Sequence, residues 1–492
     1  LPAVLPAGNG SMVTRASRSA LRFIDQLRRA VISDAAPLKV GAEGSAMERA
    51  AALADALLSE RGEVLGTVIA HDLVSLVKTF GGAERFEFID LLAKRYEPDA
   101  KAITKAADRW RRNPSTETLA ALSKAVEPPR QELFRRMNMA PEGTATLVRL
   151  REYLLEQLAA NPAFAPVDAD LVHLFNSWFN RGFLELQRID WHTPAAILEK
   201  LISYEAVHAI EGWEDLRRRL ASDRRCFAFF HPALPEEPLI FVEVALVNSL
   251  ADKIEPIIRA PIVENGDVEA DTAIFYSISN CQPGLRGVSF GNFLIKQVAS
   301  DLAAELPRLT TFATLSPIPR FRSWLEDAKT DLATHLPRSL AEQLLKESGK
   351  EDLREAVLSL AAAAEADGYS RAPLLGEALL RLAARYLTGA GSERGPSDPV
   401  ARFHLGNGAR IERIDWMADL SRRGVRESHG IMVNYLYDLG RIEVNHEAFA
   451  NRRPVAVSRA VEELADTSDG SALSRSLKAP YDAALGLLGR KG

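Results

Sequence analysis

Residues 273–315 read AIFYSISNCQPGLRGVSFGNFLIKQVASDLAAELPRLTTFATL. Ala273–Ser279 is apolar and rich in β-prone residues, which predicts a strand. Cys281–Gly291 carries Gly284, Gly287 and Gly291 and predicts a tight loop. Asn292–Leu306 has apolar residues at helical spacing, and Leu309–Leu315 predicts a second strand. Strand, loop, helix and strand form a crossover unit, so the two strands should be parallel and adjacent.

The loop is the first candidate site. Its glycines let backbone N–H groups approach a ligand closely, and it opens into a helix N-terminus, where unpaired N–H groups attract phosphate. Arg286 can add an ion pair. Neither GxxxxGK[ST] nor GxGxxG is present. The same glycines also fit a tight strand-to-helix turn with no ligand.

Outward from this unit the texture changes twice. Residues 1–180 read as helix: Leu21, Ile24, Leu27 and Val31 recur at helical spacing, and so do Leu119, Leu122, Leu133 and Phe134. Gly81-Gly82, Asn113-Pro114 and Asn161-Pro162 mark turns, as expected of antiparallel helices in a bundle. Phe227–Phe230 and Leu239–Val247 predict strands joined by the proline-rich HPALPEEP. Residues from about 327 to 390 return to helix and read as an insertion, and sheet-like sequence is expected again at Val400–His404 and Ile431–Tyr437. The expected fold is therefore multidomain: an all-helical bundle over 1–180, then an α/β domain over 181–492 with a helical insertion.

Composition narrows the function classes. Of 492 residues, 47% are hydrophobic and 26% charged, as in an ordinary globular protein. The formal charge of −5 argues against broad nucleic-acid binding. No apolar run is long enough to span a bilayer, and LPAVLPAGNG does not read as a secretory leader. The two cysteines, Cys226 and Cys281, lack CxxC spacing and read as buried thiols in a reducing, cytoplasmic setting. No HExxH, HxH or paired-cysteine pattern suggests a metal.

Three further stretches could carry chemistry. Ser316, in TLSPIPRF, stands where a strand ends beside the glycine loop, a common place for ligand chemistry in parallel sheets. It also fits a serine capping a turn. His404, in RFHLGNGA, precedes a Gly-Asn-Gly turn that can expose it, yet lone histidines are usually structural. Asn434, Tyr435 and Tyr437 place polar groups in an apolar strand, where most tyrosines simply pack. A Ser-His-acid hydrolase would need GxSxG, which Ser316 lacks.

Taken together, YEAVHAIEGWEDLRRRL (204–220), FYSISNCQPGLRGVSFGNFLIKQV (275–298), LSPIPRF (315–321), RFHLGNGARIERIDWMADLS (402–421) and GIMVNYLY (430–437) closely resemble the malonyl-CoA decarboxylase family. The resemblance implies a helical domain that mediates self-association, as a dimer or tetramer. It also implies a catalytic domain with the GNAT acyltransferase-like fold. The substrate would be malonyl-CoA and the products acetyl-CoA and carbon dioxide, with no metal or organic cofactor. The family's catalytic serine falls on Ser316 and its catalytic histidine on His404. The coenzyme A pyrophosphate would be held by Arg286, Gly287, Val288, Ser289, Phe290, Gly291 and Asn292, with Ser277, Asn407 and Tyr437 as further substrate contacts. Arg320, Ser289 and Leu436 depart from the family pattern.

The chemistry asked of such a site is specific. Loss of carbon dioxide leaves an electron pair on the α-carbon, delocalised into the thioester, so the substrate is its own electron sink. The protein must supply fixed donors for the enolate oxygen and a proton for the carbon. On the family pattern His404 is the proton donor, available near neutral pH, and Ser316 engages the carboxylate or relays the proton. Two other readings are a GNAT-type acyltransferase using the same cradle and a non-catalytic scaffold built on the helical half.

Overall fold

The computed structural model describes residues 44–261, 269–288, 294–369, 372–389 and 395–469. The expected helix around Leu21–Val31 and four loop residues, Ser289, Phe290, Gly291 and Asn292, lie outside them. The chain divides into two units. One holds the described residues up to Glu185 with Phe229–Ile240 and residues 280–288, and the other holds most of the rest.

The first unit is helical from Ala46 to Trp178. Its helices start where polar caps satisfy the first N–H groups: Ser45 closes a capping box with Glu48, Asp99 accepts from Lys101 N, and Pro129 opens the helix Pro129–Asn138. Leu57, Phe88, Leu133, Phe134, Leu147 and Leu154 are fully buried, as their spacing predicts. Leu119 is not, at 50% exposed. The helices Ala100–Arg112 and Thr116–Val126 pack mainly on each other, and the first buries no residue completely.

The second unit is built on a mixed sheet. Its strands are β1 (Glu185–Ile189), β2 (Arg224–Phe230), β3 (Ile240–Val247), β4 (Thr272–Asn280), β5 (Thr311–Thr314), β6 (Ser316–Pro317), β7 (Arg410–Asp415) and β8 (Met432–Leu436). They lie in the order β1-β2-β3-β4-β5-β8-β6, with β7 pairing β8. As expected of the crossover, β4 and β5 are parallel, joined through the helix Leu294–Glu305. The insertion is occupied by the helices Arg338–Ser348, Leu353–Ala366 and Pro373–Thr388. A helical region followed by a mixed α/β sheet is thus the fold.

Alternation along the central strands decides what meets what. Phe275 is in register with Thr314, and Ala313 with Leu436. One face therefore carries Ile274, Tyr276, Ala313, Leu315 and Met432, which join Ala245, Ile254, Ile257 and Ala418 in a hydrophobic core. The other face carries Ser277, Thr314, Ser316, Tyr435 and Tyr437.

Two expectations are corrected. Val400–His404 is not strand: it lies in the helix Pro399–Gly406. A short apolar run fits either structure, but Pro399 stands at the first helical position and Asp398 accepts from Val400 N and Ala401 N at 2.9 and 3.0 Å. The following strand, β7, was not expected. Its register skips between Ile411 and Arg413, so the buried Ile411 and Ile414 stand three apart and the two-residue rhythm is lost.

Candidate active site

The helix Pro399–Gly406 brings His404 onto the polar face of the sheet. Its Nε2 lies 3.1 Å from Ser316 Oγ, and its Nδ1 lies 2.8 Å from the Tyr437 hydroxyl. Ser316 Oγ donates to Thr314 Oγ1 at 2.8 Å, and Thr314 Oγ1 also accepts from Tyr435 N at 3.2 Å. Because the single hydroxyl proton of Ser316 points to Thr314, the consistent arrangement has Nε2–H donating to Ser316 and Tyr437 O–H donating to Nδ1. Four side chains, from β5, β6, one helix and the residue that follows β8, thus form a single hydrogen-bonded chain.

That chain is buried, and burial disfavours charge on it. Ser316, His404, Thr314 and Tyr437 are all buried. Burial pushes the His404 imidazole down from its ordinary 6.5 to about 3, because a charged ring would lose its water. Burial likewise pushes the Tyr437 phenol up. Burial therefore favours the neutral imidazole, which here donates at Nε2 and accepts at Nδ1. The Tyr435 ring stacks on it, with centroids 4.5 Å apart and planes at 23°. Asn434 Nδ2 donates to Thr314 O at 2.8 Å and ties β8 to the end of β5.

The other expected residues fall elsewhere. Asn407 ends the His404 helix, with its side-chain Nδ2 donating to Phe403 O at 2.8 Å, so it shapes the turn behind the histidine. Gly408 follows with φ +82, and a Cβ there would lie 2.2 Å from Ile442 O. Ser277 donates to both carboxylate oxygens of Glu205 at 2.8 Å, and Val207 N and His208 N donate to the same carboxylate. It holds the segment after Tyr204 to the sheet and shares no hydrogen bond with Ser316.

The described part of the glycine loop belongs to the first unit. Arg151, on the helix Gly143–Gln157, donates to Gly284 O at 2.6 Å and to Arg286 O at 2.9 Å, while its Nε pairs with Asp168. A Cβ on Gly284 would lie 2.0 Å from Val148 O, so only glycine admits this approach. Gly287 has φ +81, in the left-handed region that glycine favours. Arg286 and Gly287 are exposed and Val288 is buried. Arg151 was overlooked in the sequence because an arginine in a helical repeat reads as a solvated face. Thr314 was overlooked as a site residue because it is an ordinary strand former, and Tyr435, noted in the sequence, was read as a packing residue.

Among the described residues, no group of three or more His, Cys, Asp or Glu side chains could hold a metal ion, and no helix is long and apolar enough to cross a membrane.

A buried Ser-His pair on the polar face of a mixed α/β sheet defines the class of fold and site, and comparison with known proteins narrows it. A family model described as the malonyl-CoA decarboxylase C-terminal domain matches residues 182–475, and one described as the N-terminal domain matches 96–179. The mitochondrial malonyl-CoA decarboxylase of Anser anser anser is 35% identical over 418 residues, covering 82% of this chain and 79% of that protein. That of Rattus norvegicus is 33% identical over 416 residues, covering 79% and 84%. The crystal structure of malonyl-CoA decarboxylase from Agrobacterium vitis matches at 49% identity and TM-score 0.74, over 85% of this chain and 99% of that one. The Rhodopseudomonas palustris structure matches at 46% and 0.74, over 85% and 100%. The chain belongs to the malonyl-CoA decarboxylase family.

Proposed function

We propose that the protein decarboxylates malonyl-CoA to acetyl-CoA and carbon dioxide, as a carboxy-lyase that needs no metal or organic cofactor. The observation that carries this reading is the buried Ser316–His404–Tyr437 chain in a member of this family. The carbon–carbon bond to the carboxylate breaks and its electron pair enters the thioester as an enolate. Ser316 turns its O–H from Thr314 to the substrate and gives that proton to the α-carbon. His404 Nε2–H replaces it on Ser316, and Tyr437 O–H replaces the imidazole proton at Nδ1. The phenolate takes back the Nδ1 proton while one solvent proton returns to Nε2, which restores the starting tautomer, so each turnover consumes one proton overall. A thioester α-carbanion is far more basic than any oxygen in the relay, so the transfer runs downhill even from a phenol made reluctant by burial.

Arg286, Gly287 and Val288, with Ser289, Phe290, Gly291 and Asn292, are assigned to the coenzyme A pyrophosphate. What supports this is the open backbone of the loop at Gly287 and its anchorage by Arg151. Self-association as a dimer or tetramer is assigned to the helical region, supported by Trp110, Leu119 and Val126, which stay exposed on adjacent helices. The buried Cys226 and Cys281 favour a reducing compartment, and we assign the cytoplasm, although the names of the animal relatives place those proteins in mitochondria.

The test is direct. Purified protein is mixed with malonyl-CoA, and acetyl-CoA is followed by mass together with released carbon dioxide. Acetyl-CoA and carbon dioxide in equal amounts are expected. An acylated amine without carbon dioxide, or no turnover at all, would overturn the reading.

A further inference from the structure

Tyr435 occupies an unusual position in the site. It lies on β8 two residues before Tyr437, which directly follows the strand, so alternation puts both on the same face of the sheet. Its ring is nearly parallel to the His404 imidazole, and its main-chain N–H is bound to Thr314. It is fully buried, and its hydroxyl has no hydrogen-bond partner among the described residues. The nearby carboxylate of Asp398 is already occupied by Val400 N, Ala401 N and the Tyr386 hydroxyl.

A buried hydroxyl left unpaired destabilises the protein, and phenylalanine would stack on His404 equally well without that cost. The oxygen needs a reason to be there. Tyr437 has one, since its hydroxyl holds Nδ1. A fixed, dry donor with nothing to donate to is what an oxyanion requires when its charge arises only as the reaction proceeds. In the relay the Ser316 O–H goes to the α-carbon and the Tyr437 O–H to Nδ1, so neither is left for the thioester oxygen.

We propose that Tyr435 is a further catalytic residue, whose O–H donates to the substrate's thioester oxygen as that oxygen becomes the enolate oxygen. The assignment rests on the decarboxylase reading above. No bond to the tyrosine forms or breaks. The hydrogen bond is weak to the neutral thioester and strong to the enolate, so it lowers the barrier without tightening substrate binding.

The experiment compares wild type with Tyr435→Phe, which deletes only the oxygen. The variant should lose about 10²-fold in kcat, the scale of removing one oxyanion donor, with KM little changed and a thermal midpoint equal to or above wild type. A nitronate carried on coenzyme A, which mimics the enolate, should bind the variant about 10²-fold more weakly, while acetyl-CoA binds both alike. Wild-type kcat in the variant, or acetyl-CoA and the nitronate weakened equally, would overturn the proposal. If wild type itself releases no carbon dioxide from malonyl-CoA, the decarboxylase reading fails first; if wild type turns over and Tyr435→Phe matches it, only the tyrosine assignment falls.

Discussion

Replacing His404 by glutamine tests the neutral imidazole directly, through stability instead of rate. In the unfolded chain a histidine takes its proton near 6.5; in the fold burial holds it back until about 3. Below 6.5 the unfolded state therefore binds more protons, and acid favours unfolding. The stabilising contribution is complete above pH 6.5 and is lost progressively as pH falls from 6.5 to 3. At pH 5 the mismatch spans about 1.5 units, worth about 2 kcal/mol at 1.36 kcal/mol per unit, and at pH 4 about 3 kcal/mol. Glutamine does not titrate and escapes this loss. His404→Gln should be less stable than wild type at pH 7.5, through lost stacking and hydrogen bonds. That gap should shrink by about 2 kcal/mol at pH 5. Urea unfolding of both proteins at the two pH values, followed by circular dichroism, measures it. His208 and His429, each pushed down to about 4, and Glu243, pushed up to about 8 by burial, titrate in both proteins and cancel in the difference. A gap that stays constant from pH 7.5 to 5 would refute the neutral, desolvated histidine.

Three other outcomes are expected. Ser316→Ala and His404→Asn should each lower kcat by about 10²–10⁴, and the double variant should lose much less than the product of the two if they act as one relay; multiplicative losses per folded molecule would show independent roles. Activity should survive exhaustive dialysis against EDTA, and loss restored by zinc or manganese would show a metal requirement. Gly284→Ala forces a methyl against the Val148 carbonyl and should cost about 1–3 kcal/mol of stability; an unchanged thermal midpoint would mean the loop packs differently.

How legible was this in the sequence? The β4–loop–helix–β5 unit could be read because each piece obeys a local rule, apolar alternation or helical spacing, and the crossover rule then set the strands parallel. The bulged β7 and the helix around His404 could not be read as well, since a skipped residue erases one rhythm and a short apolar run suits two. Local chemistry singled out Ser316 and His404 but left each open, and the resemblance assigned them their roles. Nothing near either residue announces that a serine and a histidine 88 positions apart share a hydrogen bond. β8 runs antiparallel to β5, and Tyr435 on it and Tyr437 just after it receive the ring. Burial was equally invisible, and with it the protonation state of the histidine.

Uncharged partners around Ser316 and His404 suit the reaction proposed for them. A cation bound to the malonyl carboxylate would hold the ground state at least as well as the transition state, because the carboxylate loses its charge as carbon dioxide departs. Such an interaction raises the barrier. The side chains hydrogen-bonded to Ser316 and His404 are Thr314 and Tyr437, both uncharged. A carboxylate brought against them gives up water and gains no ion pair, while the enolate spreads the same charge over the thioester. Fixed neutral donors suit that delocalised charge, and they need no reorganisation when it arrives. The low dielectric that keeps His404 uncharged before substrate binds also strengthens each of those donors once charge develops. Burial of the histidine and electrostatic support of the enolate are therefore two consequences of one arrangement, and opening the site to water would weaken both.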